Sequence, residues 1–475
     1  MPGTRPSLVW FRNDLRLSDH AAIDAAIRRG APVIPVFIWP PDESNPWPPG
    51  AASQWWLHHS LASLDRSLRE RGSALILRRR PPEETIVQLA RESNAAAVYW
   101  HRQYEPGALE RENRIAAALR GIAVEPVSLP GNLLFEPGSI LNQSGQPFQV
   151  FTAFYKRALQ QPAFAAPGDP PPHIPPPAEM PASVDLDELQ LLPRIDWAAG
   201  FREAWQPGEA GAAAHLKRFL KQALAQYPDG RDHPAAPGTS RLSPHLHFGE
   251  ISARQIWHAA ARRQDAEPFL RQIIWREFAH HLLAAFPHTA EEPLRPEFQR
   301  FPWRIDAPHL QAWTRGLTGY PMVDAGMREL WHTGWMHNRV RMVVASFLVK
   351  HLLIPWQEGA RWFWDTLVDA DLPNNTLGWQ WAAGCGADAA PYFRIFNPVL
   401  QAEKFDPEGA YVRRWIPELA RIPAAFIHRP WTAPPLVLME AGVSLVSGYP
   451  APIVDHAFAR KRALEALAKM NQLRH

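Results

Sequence analysis

Thr239, Ser240 and Ser243 surround Arg241 in the segment GTSRLSPHLHFGE (Gly238–Glu250), where a loop runs into a helix. Hydroxyls and a guanidinium beside the unpaired N–H groups of a helix N-terminus suit a phosphate or diphosphate. The same residues could equally form an ordinary N-cap. Three further segments put polar and aromatic side chains on otherwise apolar helices. In FLRQIIWREFAHHLL (Phe269–Leu283), Gln272, Trp275 and Ala279 fall on one face. In GWMHNRVRMVVASFLVKHLLIPW (Gly334–Trp356), Asn338, Arg341 and Met342 share a face, and beyond it Asp369, Asp371 and Asn375 cluster ahead of Trp-Gln-Trp. A polar group on a buried face is costly unless it meets a partner or a ligand. Three such faces in one region favour a ligand cavity over isolated core polar groups. No GxGxxG follows the first apolar run and no GxxxxGK[ST] occurs, which argues against a standard dinucleotide or P-loop site. The single cysteine, Cys385, excludes an intramolecular disulfide and any multi-cysteine metal site.

The elements that must position these residues fall into two kinds. Over the first 130 residues, short apolar runs at Ser7–Phe11, Val33–Trp39, Ala74–Leu77, Ala96–Trp100 and Ile122–Val127 read as buried strands. Between them Asp19–Arg29, Ser53–Arg71, Pro82–Glu92 and Gly107–Arg120 have helical periodicity, with Ser18 or Asp19 expected to cap the first. The alternation predicts a doubly wound parallel sheet with right-handed crossovers, a fold that usually binds a ligand at the carboxyl ends of its strands. Nine of the 21 residues from Gln161 to Pro181 are proline, which predicts an extended crossing between domains. Beyond Trp205 the pattern is helical almost to the end. The expected organisation is an α/β domain over 1–130, a linker over 131–204 and an all-α domain over 205–475.

With 475 residues, 46% hydrophobic and 20% charged, the chain has the composition of a folded globular protein. It has no run of 18 apolar residues, and arginines interrupt its first apolar stretch, so neither a membrane anchor nor a signal peptide is expected. A reducing cytoplasm fits the lone cysteine. The net charge of +3 requires any nucleic-acid surface to be a local patch. Only seven of the 50 basic residues are lysine, but a GC-rich genome explains that bias without invoking phosphate recognition. The 21 tryptophans are harder to assign to core packing alone.

TSRLSP, WREF, TGYPMVDAGMREL, WMHNRVRM, NNTLGWQW and DAAPYFRIFNP occur in this order, and VWFRNDLRLSDH opens the chain. Together they resemble the DNA photolyase/cryptochrome family over essentially the whole length, and most closely the members that repair cyclobutane pyrimidine dimers. The resemblance implies FAD held in the helical domain, with Tyr227, Thr239, Ser240, Arg241, Leu242 and Ser243 around it. It places Asp369, Ala370 and Asp371 along the flavin, an Arg341–Asp369 ion pair beside it, and Asn375 facing N5. It implies an electron relay of Trp379, Trp356 and Trp303, from the flavin outwards. A flipped-out dimer would lie between Trp275 and Trp381 near Asn338 and Met342, with Arg231, Arg339 and Gln401 close to the DNA backbone.

One position departs from the pattern. Dimer-repair members usually carry a glutamate where this chain has Gln272, and an amide can hydrogen-bond a thymine without supplying a proton. Glutamine there also resembles (6-4) photoproduct enzymes. Those have paired histidines where this chain has Asn338 and Met342, so dimer repair is the expected activity. A cryptochrome-like photoreceptor is the principal alternative. Damaged DNA is the expected partner, with no membrane, no obligate protein partner and a monomeric state. The segment RQYEPGALERE (Arg102–Glu112) begins like the folate-binding members but has Gly107–Ala108 where one group carries Asn–Glu. A second, antenna chromophore is therefore expected, methenyltetrahydrofolate ahead of a deazaflavin.

Overall fold

The computed structural model describes residues 5–40, 47–389 and 393–472; residues 390–392 of the DAAPYFRIFNP motif lie outside them. Five strands, β1 (Ser7–Phe11), β2 (Val33–Trp39), β3 (Ile76–Arg79), β4 (Ala97–His101) and β5 (Glu125–Leu129), form one parallel sheet in the order β3-β2-β1-β4-β5. β1, β2 and β4 are near-continuous apolar runs because helices cover both faces. Those helices are α1 (Ala21–Arg28), α2 (Ala51–Arg69), α3 (Pro82–Glu92) and α4 (Ala108–Arg120). The first is not capped by Ser18 or Asp19: His20 is the N-cap, and its Nδ1 accepts from the Ile23 N–H at 3.1 Å. Asp19 adopts a left-handed φ of 54° and gives its carboxylate to Ser252 and Arg254 of the helical domain.

Between the sheet and the proline-rich stretch lies α5 (Phe151–Ala158), whose Phe151 and Phe154 pack into the same core as Ile274 and Phe278. The site-bearing helices then follow as α6 (Ser243–His247), α7 (Glu267–Ala285), α8 (Pro321–Thr333), α9 (Asn338–Ser346), α10 (Trp356–Thr366) and α11 (Leu372–Ala383), with α12 (His456–Gln472) near the end. Glu277, wholly buried on α7, accepts from the Leu134 and Phe135 N–H groups at 2.8 and 3.1 Å and so pins the incoming chain.

The crevice at the carboxyl ends of β1 and β4 is filled by the protein itself. A Cβ on Gly249 would lie 2.2 Å from the Asn13 carbonyl, and the buried Arg16 donates to the carbonyls of Gly249 and Gly131. Asp14 receives His20 Nε2 at 3.2 Å and His101 Nδ1 at 2.8 Å, an arrangement with metal-ligand geometry. The outer ring nitrogens assign it otherwise. His20 Nδ1 accepts from Ile23, and His101 Nε2 accepts from the Ala22 N–H. Both imidazoles are thereby fixed as neutral donors to Asp14, and the trio is a closed structural network.

Burial pushes His101, His280 and His351 down to about 3, and His215, His281 and His337 to about 4. These six are neutral when folded but take up protons near pH 6.5 when unfolded, so the unfolded chain binds more protons between about pH 4 and 6.5. Stability therefore rises with pH across that window and is lost on acidification. Glu277 and Glu329, both raised by burial to about 7, act in the opposite sense between about pH 4.5 and 7, but they are two against six. The thermal midpoint is expected to fall steadily from pH 6.5 to 4.5; a midpoint flat over that range would contradict the assignment.

Candidate functional site

The hydroxyl-rich turn before α6 is not an ordinary N-cap. Leu242 occupies the cap position with no side-chain bond, and Ser243 Oγ instead accepts from Trp335 Nε1 at 3.2 Å. Ser240 Oγ accepts only from the Leu242 N–H at 3.4 Å. Arg241 holds a left-handed φ of 53°, an uncommon conformation for a side chain of its size. That turn lays its guanidinium 4.3 Å from the Trp205 ring and 5.0 Å from Trp335, while its buried Nε has no protein partner. Leu242 is buried beside Tyr227 in one core, and Thr239 is half-buried at the mouth of the turn.

Trp335 joins this turn to α9. Arg341 also lies over its ring, at 5.9 Å, and His337 meets it edge-on at 6.3 Å. Arg341 Nη2 donates to both oxygens of Asp369, at 3.0 and 2.8 Å, and Nε donates to the Met336 carbonyl at 2.8 Å. The ion pair expected from the sequence is therefore formed, with Asp369 buried and Arg341 half-buried. His337 Nδ1 accepts from the Arg339 N–H at 3.2 Å, so the proton of the neutral ring sits on Nε2, buried without a partner.

Asp371 closes the far side as the N-cap of α11, accepting from the Asn374 N–H at 3.1 Å. Its other oxygen lies 3.5 Å from His247 Nδ1 on α6 and 3.6 Å from His280 Nε2 on α7. Burial would raise this carboxyl, but the two imidazoles outweigh it and hold the group well below the usual range. Ala370 is buried between the two aspartates. Asn375 Nδ2 donates to the Ala360 carbonyl at 3.0 Å.

The residues expected to face a lesion lie on α7, α9 and α11, and α7 and α9 both pack against α11. Trp275 is half-buried and stacks on Phe151 of α5 at 3.6 Å and 8°. Trp381, also half-buried, lies under the Arg394 guanidinium at 5.4 Å. Asn338 Nδ2 approaches Met342 Sδ at 4.0 Å on the exposed side of α9. Gln272 is already engaged: Oε1 accepts from Arg231 at 3.3 Å and Nε2 donates to the Pro268 carbonyl at 3.2 Å. Arg339 pairs with Asp232 at 2.8 Å, and Gln401 is half-buried on a later helix (Pro398–Phe405).

Trp379 and Trp356 are both buried in one hydrophobic cluster, and Trp303 packs half-buried at its margin. Among the described residues no ring contact joins the three directly. Trp379 meets Phe363 at 5.0 Å and Trp313 at 6.1 Å, both edge-on. Sequence reasoning missed Trp205, Trp335 and Phe151. Trp335 opens the WMHNRVRM motif, but only the fold shows that two arginines converge on its ring.

Among the described residues the buried donors Arg241 Nε, His337 Nε2, His280 Nε2 and Trp379 Nε1 have no hydrogen-bond partner, and the helical domain that holds them also carries the Arg341–Asp369 pair. Such a set fits a large ligand with an anionic part and a flat polar ring system. Residues 7–178 match the family described as DNA photolyase, and residues 269–469 the FAD binding domain of DNA photolyase. The deoxyribodipyrimidine photo-lyase of Agrobacterium fabrum is 48% identical over 476 residues, covering 99% of each chain. Cryptochrome-1 of Arabidopsis thaliana is 41% identical over 98% of this chain and 71% of its own length. The solved structure of a bacterial class III photolyase from Agrobacterium tumefaciens matches with a TM-score of 0.96, covering 99% of both chains at 48% identity. The Arg241 guanidinium, the Arg341–Asp369 pair and the open donors are compatible with the FAD named in the description of the matching domain. With matching domains at both ends and full-length relatives, this chain belongs to the DNA photolyase/cryptochrome family.

Proposed function

We propose that the protein binds DNA containing cyclobutane pyrimidine dimers and splits them in a light-driven reaction. The observation that carries this reading is the packing of α7, α9 and α11. Those helices carry Trp275, Trp381, Asn338 and Met342 together with Arg341 and Asn375, and Arg341 pairs with Asp369 in the turn that leads into α11. Reduced FAD, once bound, supplies the electron that light makes available to the lesion. The chain's own residues hold and orient both reactants. Arg241 and the Thr239–Ser243 turn hold the diphosphate end, and the Arg341–Asp369 pair fixes the charge beside the flavin. Trp275 and Trp381 replace the stacking a dimer loses when it leaves the duplex. Phe151 backs one face of Trp275, so the indole meets a base as a preset platform. Arg231, by holding the Gln272 carbonyl, turns that amide into a fixed polar contact for a pyrimidine edge. Trp379, Trp356 and Trp303 form the path by which electrons reach the flavin from the surface. Function in the cytoplasm as a monomer is part of the same reading.

Binding in the dark tests substrate choice. A duplex with one thymine dimer is expected to bind much more tightly than undamaged duplex or one carrying a (6-4) lesion. Trp275→Ala is expected to weaken dimer binding by about 1–3 kcal/mol, roughly 5- to 150-fold, with undamaged DNA little affected. Equal affinity for all three duplexes would favour the photoreceptor alternative, and preference for the (6-4) lesion would reverse the substrate assignment.

For the antenna, we propose a folate, methenyltetrahydrofolate, ahead of a deazaflavin. The Arg102–Glu112 segment is not an open site. Glu112 accepts from Arg12, Trp100 and the Gln103 N–H, while Glu136 engages Arg102 and Tyr104. A cleft of about 890 Å³ between the domains, lined by Trp47, Trp197 and Trp364 with Arg194 and Arg361, has the aromatic walls and cations a pterin with a carboxylate tail needs.

A further inference from the structure

Gly359 lies in the first turn of α10, a helix whose backbone any residue could adopt, and helix-interior glycine is destabilising unless something else requires it. The requirement is steric. A Cβ built on Gly359 would fall 2.0 Å from Cη2, 2.4 Å from Cζ3 and 2.5 Å from Cζ2 of Trp379. The six-membered ring of the indole therefore rests on bare α10 backbone. Phe363, one turn further along α10, and Trp313 bound the ring edge-on. The neighbouring residue completes the contact: the Ala360 carbonyl receives Asn375 Nδ2 at 3.0 Å. Asn375 and Trp379 are four residues apart on α11 and share its face. A carbonyl can only accept, so this bond also fixes which end of the Asn375 amide is which, leaving Oδ1 as the end available to a ligand.

We propose that Gly359 is a positioning residue for photoreduction: its missing side chain seats Trp379, and the adjoining Ala360 carbonyl docks Asn375 in the same turn. One turn of α10 thus sets both the proximal indole and the amide assigned to flavin N5. The proposal rests on the reading of Trp379 and Asn375 as flavin neighbours. It goes beyond that reading by locating their placement in a residue that has no side chain to offer either ligand. A methyl group at 359 must push the indole off α10, because the atoms it meets belong to a rigid ring held on two other sides.

The test is a double-mutant comparison in the FAD-loaded protein, reading thermal midpoint and the rate of photoreduction with an external reductant. Gly→Ala inside a helix normally stabilises. Gly359→Ala is expected to do the reverse, lowering the midpoint and slowing photoreduction by about tenfold or more. Phenylalanine lacks the outer indole atoms that the methyl group meets. Gly359→Ala combined with Trp379→Phe is therefore expected to melt at or above Trp379→Phe alone and to photoreduce no more slowly than it does. A Gly359→Ala protein that is more stable than wild type and photoreduces normally would overturn the proposal. So would a double variant that loses as much stability relative to Trp379→Phe as the single variant loses relative to wild type. If Gly359→Ala does not fold, the double variant against Trp379→Phe decides the matter alone. Normal photoreduction in Trp379→Phe would defeat the relay reading, whereas the melting comparison tests the seat independently of it.

Discussion

Trp379→Phe is expected to cut the rate of flavin photoreduction to about a hundredth or less of wild type. Phenylalanine fills part of the same slot but has no easily removed electron, so the proposed path from Trp303 and Trp356 loses its last member. Trp379 is buried, and its ring is bounded by Gly359, Phe363 and Trp313. Dimer splitting by protein reduced chemically beforehand should be retained, because that step does not draw on the relay. The check is flavin absorbance under continuous blue light with an external reductant, beside single-turnover repair by pre-reduced protein. Photoreduction at the wild-type rate would remove Trp379 from the path.

Asp369→Ala should have an effect of similar size on a different property. Asp369 is buried and accepts two hydrogen bonds from Arg341 Nη2, while Arg341 Nε is committed to the Met336 carbonyl. Removing the carboxylate leaves a guanidinium that is 24% exposed with only the Met336 carbonyl, and breaking such a pair from one side costs at most the about 3–5 kcal/mol of a fully buried one. On the proposed reading bound flavin covers the pair, so the full cost is reached in the FAD-loaded state. The FAD dissociation constant is therefore expected to rise by about two to three orders of magnitude. Titration of FAD into the apoprotein measures this, and melting of the apoprotein separates loss of affinity from loss of fold. Asp369→Asn keeps one acceptor and is expected to fall between the two. An unchanged dissociation constant in Asp369→Ala would detach the pair from the cofactor.

The parts of this molecule that could be read from sequence are those governed by local pattern. The strands were legible because a parallel sheet covered on both faces needs unbroken apolar runs, and β1 and β2 begin and end where those runs do. β3, β4 and β5 start one to three residues later than the runs suggest, because pairing register with the neighbouring strand sets their limits. The cap of α1 was misread for a tertiary reason: Asp19 is drawn away by Arg254, 235 residues along the chain. Helix α5 lay inside a segment expected to be a linker. Its Phe151, Phe154 and Ala158 do fall at helical spacing, but eight residues give a weak signal beside so much proline. In the site, the Arg341–Asp369 pair followed from motif position and is present. The left-handed Arg241, the Trp335 platform and the Gly359 seat have no local signature, since each depends on what a distant element brings to it.

The account stands most directly on light-driven splitting of a synthetic thymine dimer by the reduced, FAD-loaded protein, followed as recovery of thymine absorbance with a dark control. The expected result is complete repair under blue light, none in the dark, and no turnover of a (6-4) lesion. Absence of light-dependent thymine recovery from a protein that binds FAD and photoreduces normally would contradict it.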